Sequence, residues 1–289
     1  MPFYVSPEQA MKDKADFARK AITRARSGVV IDCDAGILLV SPNSSRALHK
    51  FSELYDRIAF AAAGRYNEFE RLRQAGVRYA DLTGYQYDRQ DVTARGLANW
   101  YAQLLGTIFT ESVKPLEVEI VVAEVGQTAE LDQIYRITFD GTVSDEHHFL
   151  VMGGQTEQAA EVLKERYSEG MTLGGAMEVA IAALAGQGNG DRAEITGAQL
   201  EVALLDRSRS HRTFRRLTGA RLEAVLVEAR SAGKAPSASP AATSTEGTGS
   251  EGASPEGAGS EGASPEPGKP ASPKPGKPAS ADPADGKSD

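Results

Sequence analysis

The chain is poor in cysteine, with Cys33 the only one among 289 residues. A single thiol cannot close a disulfide within the chain, and it cannot supply the cysteine set of a structural zinc site. Because the thiol lies in an apolar, β-rich stretch, we expect Cys33 to be a buried strand residue. The sequence therefore excludes a disulfide-stabilised fold.

Long apolar runs and basic clusters are also missing. No apolar stretch approaches the ~20 residues of a membrane span, and the N-terminus lacks the basic and apolar regions of a secretory signal. The net charge of −8 is spread along the chain, without the basic cluster that nucleic acid binding needs. We therefore expect a cytoplasmic protein with neither membrane nor nucleic acid as a partner.

Motifs for cofactors and metals are weak. The glycine-rich segments at 153–154 and 186–191 lack the Lys-Ser/Thr pair of a phosphate-binding loop. The polar run at 145–148 (Asp-Glu-His-His) has no other His or Cys at ligand spacing, so we predict a turn between strands there. We expect no cofactor and no bound metal.

Residues 231–289 contain no aromatic side chain and no aliphatic one larger than alanine. The segment repeats itself, with GSEGASPE at 249–256 and 259–266 and PGKPAS at 267–272 and 275–280. Such a composition cannot bury enough apolar surface to offset chain entropy. We predict a disordered low-complexity tail at 231–289, behind one folded domain at 27–230.

The N-terminal region, residues 1–26, combines an apolar tip with an amphipathic helix. Ser6 suits an N-cap, Pro7 the first helical position, and Gln9 completes a Ser-x-x-Gln capping box. Alanines, Phe17 and Ile22 then recur at helical spacing on one face. The pattern leaves open whether this helix packs on its own domain or on a neighbouring subunit.

The order of elements predicts the architecture. A hairpin at 27–40 turns near 34–36, and a buried strand ends at 61–64 (Ala-Ala-Ala-Gly). Helices at 65–74 and 91–110, with a turn at 83–87 between them, precede a second block of strands from 118 to 152. Two further helices, a last pair of strands and a closing helix follow. Paired helices between strand blocks favour a four-layer α/β/β/α sandwich of antiparallel sheets, an α/β fold of the α+β type.

Several motifs together resemble the actinobacterial 20S proteasome α subunit. They are SPEQAM, SELYDR, AAAG-x-x-NEF, LANWYAQLLGTIFTE, YRIT-x-DG and HF-x-VMGG, and they cover about residues 1–228. The resemblance implies the proteasome-subunit fold related to N-terminal-nucleophile hydrolases. It also implies heptameric rings of identical α subunits that cap rings of β subunits, in which an N-terminal threonine carries out proteolysis.

This chain is expected to have no catalytic residue of its own. A threonine nucleophile of this kind needs a free α-amine as its base. Alignment to the family places Arg26 at the threonine and Pro42 at its partner aspartate, and only Lys50 persists. The alternative is a self-processing amidohydrolase of the same fold, for which Ser27 is the one hydroxyl available at the first strand.

The resemblance implies a binding function for Lys50. In the family, the matching lysine lines a pocket between neighbouring subunits and receives the C-terminal carboxylate of a regulatory AAA ATPase or other activator. Gly64 falls where the family offers a backbone amide to that pocket, and Arg24 is a candidate for its wall. An ammonium and backbone N–H groups suit a chain-end carboxylate.

The resemblance also implies a gate and a channel loop. The gate would consist of the tip residues Pro2, Phe3, Tyr4, Val5, Ser6 and Pro7. The tip is shorter than the archaeal pattern and lacks its Tyr-Asp pair. Lys114 and Pro115 resemble the start of the loop that narrows the channel, although Glu117 replaces its glycine. Protein substrates, tagged with a ubiquitin-like protein as in actinobacteria, are the clients that the resemblance implies.

Overall fold

The computed structural model describes residues 6–45, 47–154, 156–185 and 196–233. Its helices and strands follow in the order α1 (Pro7–Thr23), β1 (Gly28–Cys33), β2 (Gly36–Pro42), β3 (Phe51–Tyr55), β4 (Ile58–Gly64), α2 (Tyr66–Gln86), α3 (Ala94–Glu111), β5 (Val118–Glu124), β6 (Gln133–Ile137), β7 (Val143–Glu146), β8 (Phe149–Met152), α4 (Thr156–Arg166), α5 (Leu173–Ala185), β9 (Leu200–Asp206), β10 (Phe214–Arg216) and α6 (Ala220–Ala232). The predictions for residues 1–5, the loop at 186–191 and the tail beyond residue 233 fall outside the described residues.

The strands form two antiparallel sheets of five. The first sheet has the order β10-β9-β2-β1-β8, and the second has the order β3-β4-β5-β6-β7. The predicted hairpin is the β1–β2 pair, in which Val30 lies opposite Leu39 and Cys33 opposite Gly36. Cys33 is buried, as expected for a strand residue.

The two sheets pack face to face over an apolar inner layer. It includes Val30 and Leu39 of the first sheet and Ala61 and Val121 of the second, all with no exposed surface. Along β1, neighbouring side chains alternate between this layer and the opposite face. Because both faces are covered, every residue of the strand is buried.

Helices cover both outer faces. Helices α4 and α5 pack on the first sheet and α6 packs against α5, with Met177 and Val29 in one buried cluster; α2 and α3 pack on the second sheet, with Tyr101 and Ile120 in another. The predicted four-layer α/β/β/α sandwich is confirmed. Within the ranges that the structure describes, no helix is both long and apolar enough to cross a membrane.

Helix α1 packs on its own domain, outside the four layers. Its buried residues Ala18 and Ile22 contact Phe139, and Lys14 Nζ donates to the carbonyl of Ser112, 2.7 Å away. The N-cap prediction is confirmed, since the N–H of Gln9 donates to Ser6 Oγ at 3.2 Å. The capping box is only half formed: among the described residues no bond from the Ser6 N–H to Gln9 Oε1 is present, and Gln9 Nε2 donates to Asp13 Oδ1 at 2.7 Å.

Three sequence predictions of local structure were wrong. Helix α2 continues to Gln86, so the predicted turn at 83–87 is mostly helical; Tyr55 packs against its last turns at Gly84, a contact that the sequence does not display. Helix α3 begins at Ala94 and not at 91, since Thr93 caps it. The polar segment at 145–148 is only partly a turn, because Asp145 and Glu146 belong to the edge strand β7.

A glycine-to-alanine pair tests the packing of α2 against α3. A Cβ at Gly76 would lie 1.8 Å from the Tyr101 hydroxyl, which is buried and donates to the Leu72 carbonyl. We expect Gly76→Ala to destabilise the fold by about 1–3 kcal/mol through overpacking. The melting temperature of the purified chain measures the effect. In the matched control Gly175→Ala the nearest atom is 3.4 Å away, so a Gly76→Ala variant as stable as this control would contradict the prediction.

Candidate functional site

One end of the sandwich gathers most of the residues that the sequence singled out. The chain leaves α1 at Arg24, passes Arg26 and enters β1, while the segment 153–154 that follows β8 lies nearby. The N–H of Gly154 donates to the Ala25 carbonyl at 3.1 Å. A Cβ at Gly154 would lie 2.2 Å from the Thr23 carbonyl, so only glycine permits this approach. The end of α1 is thereby fixed against the start of the first sheet.

Lys50 lies at this end, directly before β3. Its backbone carbonyl accepts a hydrogen bond from the Ala62 N–H at 3.2 Å, and its own N–H donates to both carboxylate oxygens of Glu201, 3.0 and 3.1 Å away. Its ammonium crosses to the other sheet and donates to the backbone carbonyl of Arg26. Hydrogen bonds thus hold Lys50 at its backbone and at its side-chain ammonium.

The ammonium of Lys50 is poorly compensated. Burial lowers its pKa from 10.5 to about 8; the nearby Glu201 carboxylate opposes this shift and the Arg26 guanidinium adds to it. In the described part of the chain, no carboxylate lies within ion-pair distance of the ammonium. An incoming carboxylate would therefore gain a strong, charge-assisted interaction here.

Gly64 lies at the same end as Lys50, on the neighbouring strand β4. Its φ is +114°, and a Cβ would lie 2.0 Å from the Glu117 carbonyl, so the position requires glycine. Arg24 follows α1 as its exposed C-cap residue. The predicted pocket residues thus share one end of the sandwich.

The position aligned with the catalytic threonine carries no nucleophile. Arg26 is linked through peptide bonds on both sides, and its carbonyl oxygen accepts the Lys50 ammonium. The neighbouring hydroxyl of Ser27 is buried and donates to the Gly154 carbonyl. Pro42, aligned with the partner aspartate, lies in β2 opposite Leu200.

The predicted channel loop is tied to α2. Lys114 Nζ lies 2.7 Å from Glu68 Oε1 and 2.8 Å from Glu117 Oε1. Glu117 is buried, and Arg65 Nε is its second cationic partner at 3.1 Å. Lys114 also lies 6.0 Å from the ring centroid of Phe17 on α1. The glutamate that replaces glycine in the family pattern therefore anchors this loop, including Pro115, beside the first helix.

His148 belongs to a side-chain cluster that the sequence did not predict. His148 has a φ of +67°, and its Nδ1 lies 3.0 Å from Asp32 Oδ2. The Tyr167 hydroxyl donates to Asp32 Oδ1 at 2.6 Å, and burial raises the pKa of this tyrosine. No group of three metal-ligating side chains occurs within the described ranges. The three residues are too far apart in the sequence for any local motif to reveal them.

Sequence reasoning also missed Glu201. Its carboxylate is buried, and besides Lys50 it accepts from Asn43 Nδ2 at 2.7 Å and Arg216 at 2.8 Å. One feature of the sequence could have indicated its importance: Glu201 is the one acidic residue in the otherwise apolar run at 200–205. Because a buried charge is costly unless it is paired, an acidic residue in such a run indicates buried partners.

Comparisons with known proteins agree with this geometry. The family model described as proteasome subunit matches residues 23–205. Proteins called proteasome subunit alpha are 63% identical in Thermomonospora curvata, over 79% of this chain and 98% of the relative, and 63% identical in Thermobifida fusca, over 79% and 92%. In Streptosporangium roseum the identity is 61%, over 87% of this chain and 96% of the relative.

The chain belongs to the proteasome subunit family. The predicted resemblance to actinobacterial proteasome α subunits is confirmed, and identities of about 60% over the folded part support the role of a proteasome α subunit. Family membership implies assembly with other subunits into the proteasome core.

The burial of Lys50 has a consequence for stability. Its pKa is about 8 in the folded chain, against the ordinary lysine value of 10.5 that applies when the chain is unfolded. Between these values the unfolded chain binds more protons, so stability rises with pH. Below pH 8 both states are charged, and the penalty is present in full. We therefore expect Lys50→Met to raise the melting temperature at pH 7 by about 2–4 °C, the equivalent of roughly 1 kcal/mol, and to remove the rise above pH 8.

Melting curves from pH 7 to 10, at fixed protein concentration, measure this effect. Lys164→Met is the matched control, since Lys164 lies exposed on α4. A Lys50→Met variant with the same melting temperature and pH dependence as this control would contradict the prediction.

Proposed function

We propose that this chain forms the non-catalytic outer ring of a proteasome core particle. Seven identical copies surround the entrance, gate the passage of substrates to the β-subunit chamber and dock the C-termini of a regulatory AAA ATPase or another activator. The proteasome α subunit role is supported by the family match and by the relatives. Docking and gating extend that role, and each has its own physical basis.

The observation that carries the docking proposal is the state of the Lys50 ammonium. It is partly buried, its pKa is lowered by that burial, and its one hydrogen-bond acceptor in the described part of the chain is a neutral carbonyl. Gly64 ends the neighbouring strand at the same end of the sandwich. A chain-end carboxylate would supply the missing counter-charge, and nearby backbone N–H groups suit its second oxygen. Arg24 adds positive charge at the rim.

Lys50→Ala tests docking directly. In assembled particles we expect the variant to lose ATPase-stimulated degradation of an unfolded protein, because the carboxylate loses its cation. Basal hydrolysis of a short fluorogenic peptide should remain unchanged. Lys164→Ala, an exposed lysine on α4, is the control and should behave as the unaltered particle does. ATPase-stimulated degradation that persists at full rate in Lys50→Ala would refute the docking proposal.

The proposal assigns proteolysis to the β subunits. The peptide bond before Arg26 removes the amine that would act as base. The alternative, a self-processing amidohydrolase, would have to use Ser27, whose hydroxyl is buried and bonded to the Gly154 carbonyl. The two proposals separate in one assay: casein incubated with the isolated chain stays intact if the subunit is non-catalytic and is cleaved if the alternative holds.

Gating is proposed for the N-terminal tip. Residues Pro2, Phe3, Tyr4 and Val5 precede Ser6 and Pro7, at which α1 begins. Seven apolar tips that meet on the ring axis could close a pore, and Lys114 and Pro115 would line the channel below. Since Ser6 caps α1 and the helix is fixed to its own domain, the tip has a rigid point from which to move.

Deletion of residues 2–5 tests the gate. The deletion keeps Ser6 and Pro7, so the start of α1 stays capped. We expect the assembled particle to hydrolyse short peptides several-fold faster, since the tip no longer obstructs entry. Ser6→Ala is the control: it weakens the helix cap by about 1 kcal/mol but leaves the apolar residues 2–5 in place. Deletion particles that hydrolyse peptides no faster than unaltered ones would count against a gate.

The remaining elements of the proposal concern clients and location. We propose that the particle degrades proteins tagged with a ubiquitin-like protein and that it works in the cytoplasm. The likeness to actinobacterial subunits supports the first point. Pull-down of tagged proteins that accumulate in cells carrying Lys50→Ala particles is the corresponding measurement.

A further inference from the structure

Glu201 connects the two sheets beside Lys50. It lies on β9 of the first sheet and is 7% exposed. Burying a carboxylate is costly unless several donors satisfy it. In addition to the contacts with Asn43 and Arg216, the carboxylate accepts from the N–H groups of Lys50 and, at 3.2 Å, of Phe51. Glu201 thus binds the chain where the edge strand of the second sheet begins.

Arg216 completes this connection from the other side. One guanidinium nitrogen donates to Glu201 Oε1 at 2.8 Å, and the other donates to the Phe51 carbonyl at 2.6 Å. The backbone at 50–51 is therefore held in two ways: its N–H groups donate to Glu201, and its Phe51 carbonyl accepts from Arg216. A pair of planar, charge-assisted contacts of this kind gives geometric precision that a single bond does not.

The carboxylate compensates Lys50 without occupying its ammonium. Glu201 bonds the backbone N–H of Lys50, whereas the ammonium donates to the Arg26 carbonyl. A direct ion pair would compete with any incoming carboxylate for the same three donors. The backbone contact avoids that competition and still places a negative charge close enough to act on the lysine.

The charges that face Lys50 come from several elements. Glu201 is negative and opposes the effect of burial on the lysine pKa, while Arg26 is positive and adds to it. Arg216 brings a second positive charge, bound to Glu201. His49, the preceding residue, lies 3.4 Å from the same carboxylate. Among these groups Glu201 supplies the negative charge that favours the protonated lysine.

We infer that Glu201, itself held by Arg216, is a positioning residue that fixes Lys50 at the start of β3, and that the negative charge of Glu201 keeps the ammonium charged and free to bind a chain-end carboxylate. The identity of the ligand rests on the proposed docking function, whereas the control of Lys50 by Glu201 does not. The two parts can therefore be tested separately.

Competitive labelling of lysines in the assembled particle tests the first part. Trace acetylation from pH 6 to 10, with peptide mass spectrometry, gives the midpoint at which Lys50 becomes reactive. Glu201→Gln keeps the shape of the side chain and removes its charge; we expect the midpoint to fall by about one pH unit. Arg216→Gln removes the opposite charge and should raise the midpoint, so the two variants shift it in opposite directions.

Asp206→Asn provides a matched control. Asp206 is a second buried carboxylate on β9, paired with Arg215 at 2.7 Å, and it lies at the other end of the strand. We expect the Lys50 midpoint to stay unchanged in this variant. A merely structural role for Glu201 would lower the melting temperature of Glu201→Gln but would leave the midpoint in place. An unchanged midpoint in both Glu201→Gln and Arg216→Gln overturns the inference. If Glu201→Gln does not assemble, the midpoint of Arg216→Gln alone decides: an unchanged value overturns the inference and a raised value supports it.

Binding of a peptide tests the second part. The probe is the last ten residues of the ATPase subunit, with a free carboxylate or as the amide. With a midpoint near pH 8, a one-unit fall should weaken binding of the free-carboxylate peptide to Glu201→Gln particles about threefold at pH 7.5. Binding at pH 6.5 should stay near that of the unaltered particle. Unaltered particles that bind carboxylate and amide peptides equally well would refute the docking function, whatever the labelling shows.

Discussion

The close face-to-face packing of the two sheets is the constraint on which the rest of the structure depends. Small residues make it possible: Ala59, Ala61 and Ala63 of β4 face the inner layer, where they leave room for the larger side chains of the first sheet. At the edge of this apolar layer, the Lys50 side chain reaches from the start of β3 to the Arg26 carbonyl before β1. Its ammonium is desolvated because the sheets are close, and it reaches a partner for the same reason.

One stretch of backbone after α1 serves two purposes at that edge. The peptide bonds around Arg26 occupy the position where a proteasome-type nucleophile would need a free amine, and the carbonyl of Arg26 accepts the Lys50 ammonium. Gly154 lets this stretch approach the first sheet closely. The helix in front of β1 thus leaves no free amine at Arg26 and places the carbonyl of Arg26 within reach of Lys50. In the described part of the chain the Lys50 ammonium has a neutral carbonyl as its acceptor, which is why we propose a carboxylate as its ligand.

Burial and the neighbouring carboxylate act in opposite directions on the charge of Lys50. Burial of Lys50 opposes its protonation, and Glu201 offsets part of that cost through the backbone without closing the ammonium to a ligand. A hydrophobic side chain at position 50 would avoid this cost, and the proposed docking function accounts for the lysine there. Glu117 and Lys114 show the opposite arrangement, since their charges are paired directly and anchor a loop.

The sequence by itself determined the order of helices and strands, the hairpin at the start of the first sheet and the capped first helix, because periodicity, caps and turns are local properties. The order of strand blocks and helix pairs was enough to predict the four layers. The family resemblance indicated Lys50 and Gly64 as site residues. Only the tertiary structure decided that Glu201, 151 residues from Lys50, holds it in place, and that His148 meets Asp32. Hydrogen bonds between residues so far apart leave no periodic or local pattern in the chain, so they become visible only when the sheets are packed.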